Sequence, residues 1–233
     1  MPPDASQPDP TPPVHPGQAD PEGYVKGNSV VQSAPLVPEI RLHLADERAP
    51  LWHKTQRDLY DDGIVLPFWA FAWAGGQALA RFILDDPSKV RGKRVLDFAS
   101  GSGLAAIAAM MAGARSALAA DIDPLAETAA LMNALENGVM LETSTADMVG
   151  QSLEDFDLIL AGDICYEQSV AERVHGWLQR EAALGREVLI GDPGRTFLPR
   201  GALEQVTAYG VKSARDLDDT DVRNACVWRF TGA

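Results

Sequence analysis

The chain has 233 residues, enough for one α/β domain of ordinary size with a substantial buried core, and its formal net charge is −13. That balance excludes a nucleic-acid partner, which needs a basic face for phosphate contacts, and suits a cationic one. Two cysteines, Cys165 and Cys226, without C-x-x-C spacing, and four scattered histidines, His15, His43, His53 and His175, exclude a disulfide framework and a zinc site and point to a reducing compartment.

The first 22 residues are crowded with prolines, contain Asp4, Asp9, Asp20 and Glu22, and hold no Lys or Arg. Such a stretch buries too little apolar surface to offset its chain entropy, so residues 1–34 are assigned to a Pro-rich disordered tail. It has neither the charged start and apolar centre of a secretory signal nor the arginines of a presequence. No apolar run is long enough to span a bilayer, and the protein is expected to be soluble, cytoplasmic and monomeric.

Residues 35–90 form an arm with helices that packs on the main domain. Glu39 to Leu44 alternates apolar and polar, the pattern of a short strand, and Asp46 is placed to cap a helix through Trp52 to about Leu59. Pro67-Phe68-Trp69-Ala70-Phe71-Ala72-Trp73 then enters a helix over 75–84, which Asp86-Pro87 ends. The core domain spans 91–233. Its signals alternate: strand 94–98, helix 103–112, strand 116–120, helix 124–137, strand 139–145, strand 156–162, helix 167–184, strand 187–191. Alternation of this kind predicts parallel strands joined by crossover helices, a doubly wound Rossmann-like sheet. Residues 199–209 read as a helix, and Val211–Arg215 with Val222–Phe230 as a hairpin in which Cys226, Trp228 and Phe230 share a face. The sum is a seven-stranded sheet with one reversed strand.

The densest signal lies at Val95-Leu96-Asp97-Phe98-Ala99-Ser100-Gly101-Ser102-Gly103, a buried strand turning through glycines into a helix. Gly101, Gly103 and Ala106 also satisfy G-x-G-x-x-G/A, with Asp121 about twenty residues on, so a dinucleotide site fits by spacing, and a glycine turn serving chain reversal alone fits as well. Asp97 weighs against the dinucleotide, because its carboxylate would face two phosphates. S-adenosylmethionine carries a sulfonium and an α-ammonium, and an acid beside the first glycine attracts both. Further acids fall at successive strand ends, where ligands bind in open α/β sheets. Asp121 is placed to accept from ribose hydroxyls and Asp147 from an adenine amine. Asp123, just before Pro124, reads as a helix cap and stays outside the site.

These runs, with Asp121-Ile122-Asp123-Pro124, Asn133 to Gly138 and Gly162-Asp163-Ile164-Cys165-Tyr166-Glu167, resemble the class I methyltransferases. More narrowly, Pro38 to Leu44, Pro67 to Ala70 with Trp73 to Ala80, and Leu189-Ile190-Gly191-Asp192-Pro193-Gly194-Arg195 resemble the protein-lysine methyltransferases of the electron transfer flavoprotein β subunit, a likeness spanning roughly residues 35–230. Ala74 departs from the proline expected in animal members. The resemblance implies S-adenosylmethionine as cofactor, that flavoprotein subunit as protein partner, Trp73, Asp97, Gly101, Gly103, Asp121, Ile122 and Asp147 on the cofactor side, and Asp163, Tyr166 and Glu167 on the catalytic side, with no metal.

A lysine amine is protonated at pH 7, and freeing its lone pair costs about 4.6 kcal/mol. A sulfonium about 4 Å away opposes the ammonium by roughly 4 kcal/mol at an effective dielectric near 20, nearly enough. The expectation is that this charge, with aromatic walls from Trp69, Trp73 or Tyr166, releases the proton while Asp163 aligns the nitrogen. Phe68, Trp69, Phe71 and Trp73 also suit a core, and Trp69 is evenly poised between the two. The Gly191–Arg195 run reads as a tight turn with Arg195 a surface cation, or as a contact to the protein substrate. Cys165 reads as a small buried thiol rather than a nucleophile, with no histidine near it in sequence. A ribosomal protein or a small amine as acceptor, and a binding module without turnover, stand as alternatives.

Overall fold

The computed structural model describes residues 17, 19–49, 67–212 and 222–231. Helix α1 (Pro21–Gly27) starts where Asp20 accepts a hydrogen bond from the Gly23 amide at 2.9 Å, with Pro21 in the first turn. Strands β1 (Val30–Ala34) and β2 (Val37–Leu44) then pair antiparallel. The expected tail to residue 34 is therefore corrected: its last part is ordered, because Val25 is fully buried against Trp69 and Leu125. The expected helix from Asp46 to Leu59 lies mostly outside the described residues, and Asp46–Ala49 form a turn closed by the Ala49 amide on the Asp46 carbonyl at 2.9 Å.

After a 3-10 turn at Phe68–Ala70, helix α2 (Ala74–Asp85) leads into the sheet. There follow β3 (Arg94–Phe98), α3 (Leu104–Met111), β4 (Ser116–Ala120), α4 (Pro124–Glu136), β5 (Glu142–Ser144), β6 (Leu158–Gly162), α5 (Gln168–Ala183), β7 (Glu187–Asp192), β8 (Leu203–Lys212) and β9 (Val222–Phe230). The strand order is β5-β4-β3-β6-β7-β9-β8, with β9 antiparallel to both neighbours and the other pairings parallel, the seven-stranded layout expected.

Side chains alternate across the central strands, and both faces are covered, which is why these strands read as nearly continuous apolar runs. Val95, Leu158, Leu160 and Leu189 pack with α2 and α3 on one face; Leu96, Ile159, Val188 and Ile190 pack with Trp177, Leu178 and Ala182 of α5 on the other. Asp123 caps α4 as expected, accepting from the Leu125 amide at 2.8 Å.

The helix expected at 199–209 is instead strand β8, with only a 3-10 turn at Arg200–Ala202. Its register shifts between Gln205 and Thr207. Leu203 packs with Phe230 in the α5-side core, whereas Tyr209 and Val211 pack in the α2-side core, so the bulge carries the inward residues from one face of the sheet to the other. On β9, Cys226, Trp228 and Phe230 share a face as expected.

Candidate active site

Chain connections leave β3 toward β4 on one side and reach β6 on the other, and at this reversal a cavity of about 400 Å³ opens beyond the carboxyl ends of the strands. The turn after β3 makes its floor. Ala99, Gly101 and Gly103 hold φ of 53°, 52° and 75°, a left-handed path that costs glycine little. A Cβ on Gly103 would also stand 2.9 Å from the Ala130 Cβ, so this glycine lets α3 lie against α4; it does not itself line the cavity.

Asp97, Asp121 and Asp147 all line the cavity, as does the exposed Ile122. Asp97 accepts from the Ala106 amide at 2.9 Å, and burial pushes its carboxyl up to about 7. Asp121 accepts from the Gly101 amide at 2.9 Å and the Asp123 amide at 3.0 Å, which ties the end of β4 to the glycine turn; burial raises its pKa as well. Asp147 is more exposed, and hydrogen bonds from the Val149 amide and the Arg173 guanidinium lower its pKa. Arg173, on α5, is a lining residue that sequence reading missed; 26 positions separate it from Asp147.

On the opposite wall Trp73 donates its indole N–H to the Phe68 carbonyl at 2.9 Å, and Phe68 lies 5.9 Å from the Trp73 ring and 5.3 Å from the Tyr166 ring between centroids. Trp69 does not join them: it is fully buried with Val25, Leu125 and Met132, a core residue. Asp163 lines the cavity at the end of β6, its carboxylate accepting from the Gly76 amide at 2.9 Å and from Arg195 Nη1 at 2.5 Å. Burial raises its pKa, opposed by Arg195. Arg195 is therefore no surface cation, although the turn expected around it is present. Glu167 lies outside the cavity, exposed at the start of α5 and accepting from the Ser169 hydroxyl.

Cys165 is fully buried and its thiol is pushed up to about 12 by burial, as befits a structural thiol. A histidine distant in sequence does reach it: His175 Nε2, on α5, is 3.3 Å from Sγ. Among the described residues there is no cluster of groups able to hold a metal ion.

Among the described residues five aspartates, Asp97, Asp121, Asp123, Asp147 and Asp163, line the cavity against two arginines, and each arginine is paired with one of those carboxylates. A diphosphate would meet net negative charge there, whereas a sulfonium nucleoside with an α-ammonium meets attraction, so the residues fit S-adenosylmethionine and not a dinucleotide. The reversed seventh strand, the glycine turn and this acid-lined cleft define a class I methyltransferase, with S-adenosylmethionine as cofactor. The electron transfer flavoprotein β-subunit lysine methyltransferases of Rattus norvegicus and Mus musculus are 39% and 40% identical to the chain, over 90% of it and 84% of their own length. The chain belongs to that family. Residues 78–166 also match the family model of ribosomal protein L11 methyltransferase (PrmA), and the solved ribosomal protein L11 methylase of Lactobacillus delbrueckii subsp. bulgaricus shares the fold, with a TM-score of 0.51 at 22% identity over 86% of this chain and 98% of that one.

Proposed function

We propose that the protein transfers methyl groups from S-adenosylmethionine to lysine ε-amines of the electron transfer flavoprotein β subunit. The observation that carries this reading is identity of 39–40% across 90% of the chain with enzymes named for that substrate. The match to the ribosomal-protein family supports a narrower statement. It ends at residue 166, so it covers the glycine turn and Asp121 but not the Gly191–Arg195 loop that braces Asp163.

When bound, S-adenosylmethionine supplies a methyl group on a positively charged sulfur, open to in-line attack by an amine. Asp97, Asp121 and Asp147 hold the donor from the β3–β4 side, with Trp73 and Ile122 as apolar walls. Asp163 receives the lysine from the β6 side and aligns its nitrogen. Phe68, Trp73 and Tyr166 make a wall around that nitrogen where an ammonium is poorly solvated, which favours loss of its proton to water at the exposed Tyr166 edge. Glu167 adds charge at the rim, drawing in a basic segment without touching the reacting atoms. We further propose that the enzyme acts as a monomer in the cytoplasm, where Cys165 and Cys226 stay reduced. No described helix is long and apolar enough to cross a membrane.

Incubating a cell extract with the enzyme and methyl-labelled cofactor tests the acceptor. Label is expected in the flavoprotein β subunit and is lost with Asp163→Ala while calorimetric binding of the cofactor persists. Label confined to a ribosomal protein or a small amine would move the assignment to that acceptor.

A further inference from the structure

The loop after β7 is built around Asp192, which is fully buried. One of its carboxylate oxygens accepts from the Gly194 amide at 2.6 Å and the Arg195 amide at 2.7 Å, fixing the turn. Its other oxygen lies 3.2 Å from Arg195 Nη1, the same nitrogen that reaches Asp163 Oδ1 at 2.5 Å. Asp163 is held from a second direction by the Gly76 amide in the first turn of α2, on Oδ2 at 2.9 Å, and from a third by its own amide on the Gly191 carbonyl at 2.8 Å. Its backbone sits at φ 59°, a conformation that a side chain disfavours and that surrounding contacts must maintain.

We propose that Arg195 is a positioning residue for methyl transfer: clamped by Asp192, it locks the Asp163 carboxylate in the orientation that receives the substrate lysine. The proposal rests on the reading of Asp163 as the group that aligns the lysine nitrogen. Each Asp163 oxygen already has one partner, from α2 on one side and from the β7 loop on the other, so the plane of the carboxylate is fixed before a substrate arrives. Its remaining lone pairs serve the cavity it lines. The clamp also sets charge. Asp163, Asp192 and Arg195 together carry one net negative charge, a match for one ammonium. Without the guanidinium, two buried carboxylates would stand together, and Asp163 would take up a proton and turn from acceptor to donor.

A lysine at 195 keeps the charge but, as a hydrated point charge on a flexible stem, lacks the planar guanidinium that holds Nη1 between the two carboxylates. Arg195→Met, Arg195→Lys and wild type are compared by steady-state methylation of the purified flavoprotein β subunit, by calorimetry with S-adenosylhomocysteine, and by crystallography. Arg195→Met is expected to lower kcat by about a hundredfold with KM for the protein substrate and cofactor affinity unchanged. Arg195→Lys is expected to recover part of that loss, and the Arg195→Met crystal structure to show Asp163 turned away from the Gly76 amide. An unchanged kcat, or a loss confined to KM, which would make Arg195 a substrate contact, overturns the proposal. If Arg195→Met does not fold, Arg195→Lys decides alone: full wild-type kcat overturns the clamp, and a partial loss at constant KM supports it. If wild type leaves the flavoprotein subunit unlabelled, the substrate reading fails by itself, and the crystal structures still judge the clamp: an unmoved Asp163 overturns it, a turned one supports it.

Discussion

Asn137 treats Arg41 as a neighbouring strand would: its Oδ1 accepts from the Arg41 amide at 2.9 Å and its Nδ2 donates to the Arg41 carbonyl at 2.7 Å. One turn earlier on α4, the buried Asn133 accepts from the His43 amide at 2.7 Å and donates to the Ser102 carbonyl at 2.9 Å. Spaced four residues apart, one in the last turns of α4 and one at its C-cap, the two carboxamides stitch the edge of β2 to α4 and, through Ser102, to the glycine turn that lines the cavity.

Replacing Asn133 by Ala leaves two buried backbone groups without partners. The expected loss is about 3 kcal/mol, since each such group costs on the order of 1–3 kcal/mol. For a chain of this size that lowers Tm by roughly 6–12 °C, read by calorimetric unfolding. Weaker cofactor binding should accompany it, because the Ser102 carbonyl loses its anchor. An Asn133→Ala protein with unchanged Tm would remove the stitch from the account.

Asp97 is expected to make cofactor affinity depend on pH. Burial lifts its carboxyl to about 7, so in the free protein it is mostly neutral at pH 6 and mostly ionised at pH 8. A cationic ligand prefers the ionised form, and titration calorimetry should find S-adenosylmethionine binding up to about tenfold tighter at pH 8 than at pH 6. Stability runs the opposite way. The folded state holds this proton more tightly than the unfolded chain, so the ligand-free protein loses stability as pH rises from about 4 to about 7. Asp97→Asn should therefore stabilise the ligand-free protein more at pH 8 than at pH 5 and flatten the pH dependence of binding; affinity that falls with pH in wild type would contradict this.

Gly75 admits no side chain. A Cβ there would lie 2.1 Å from the Gly191 carbonyl oxygen and 2.7 Å from Asp163 Oδ2, and the backbone contact cannot be relieved by a rotamer change. Gly75→Ala must push the start of α2 off β7, at a cost of about 3 kcal/mol or more. It should also separate the Gly76 amide from Asp163, so methyl transfer falls further than the fraction folded by circular dichroism accounts for. Activity that simply tracks the folded fraction would show that the α2–β7 contact is structural alone.

What the sequence made legible was local. The strands of the core, the glycine turn and the acids at the strand ends follow from period-two patterning and from residues adjacent in the chain, and Trp73, Asp97, Gly101, Asp121, Ile122, Asp147, Asp163 and Tyr166 do line one cavity. Contacts between distant segments left no such mark. Arg195 and Asp163 are 32 residues apart, and Cys165 meets His175 only because α5 turns back over it. The bulge in β8 switches which residues face inward partway along the strand, which erases the period of two over a stretch that the sequence reads as a helix. Trp69 was ambiguous for a different reason. A 3-10 turn sends Phe68 to the cavity and Trp69 to the core, and no periodicity announces so short an element.

Intact-mass and peptide mass spectrometry of the purified electron transfer flavoprotein β subunit, incubated with this enzyme and S-adenosylmethionine, tests the central claim most directly. Methyl groups are expected on lysine side chains of the subunit when enzyme and cofactor are both present, and not with Asp163→Ala. A subunit whose mass stays unchanged with wild-type enzyme that binds the cofactor normally would contradict it.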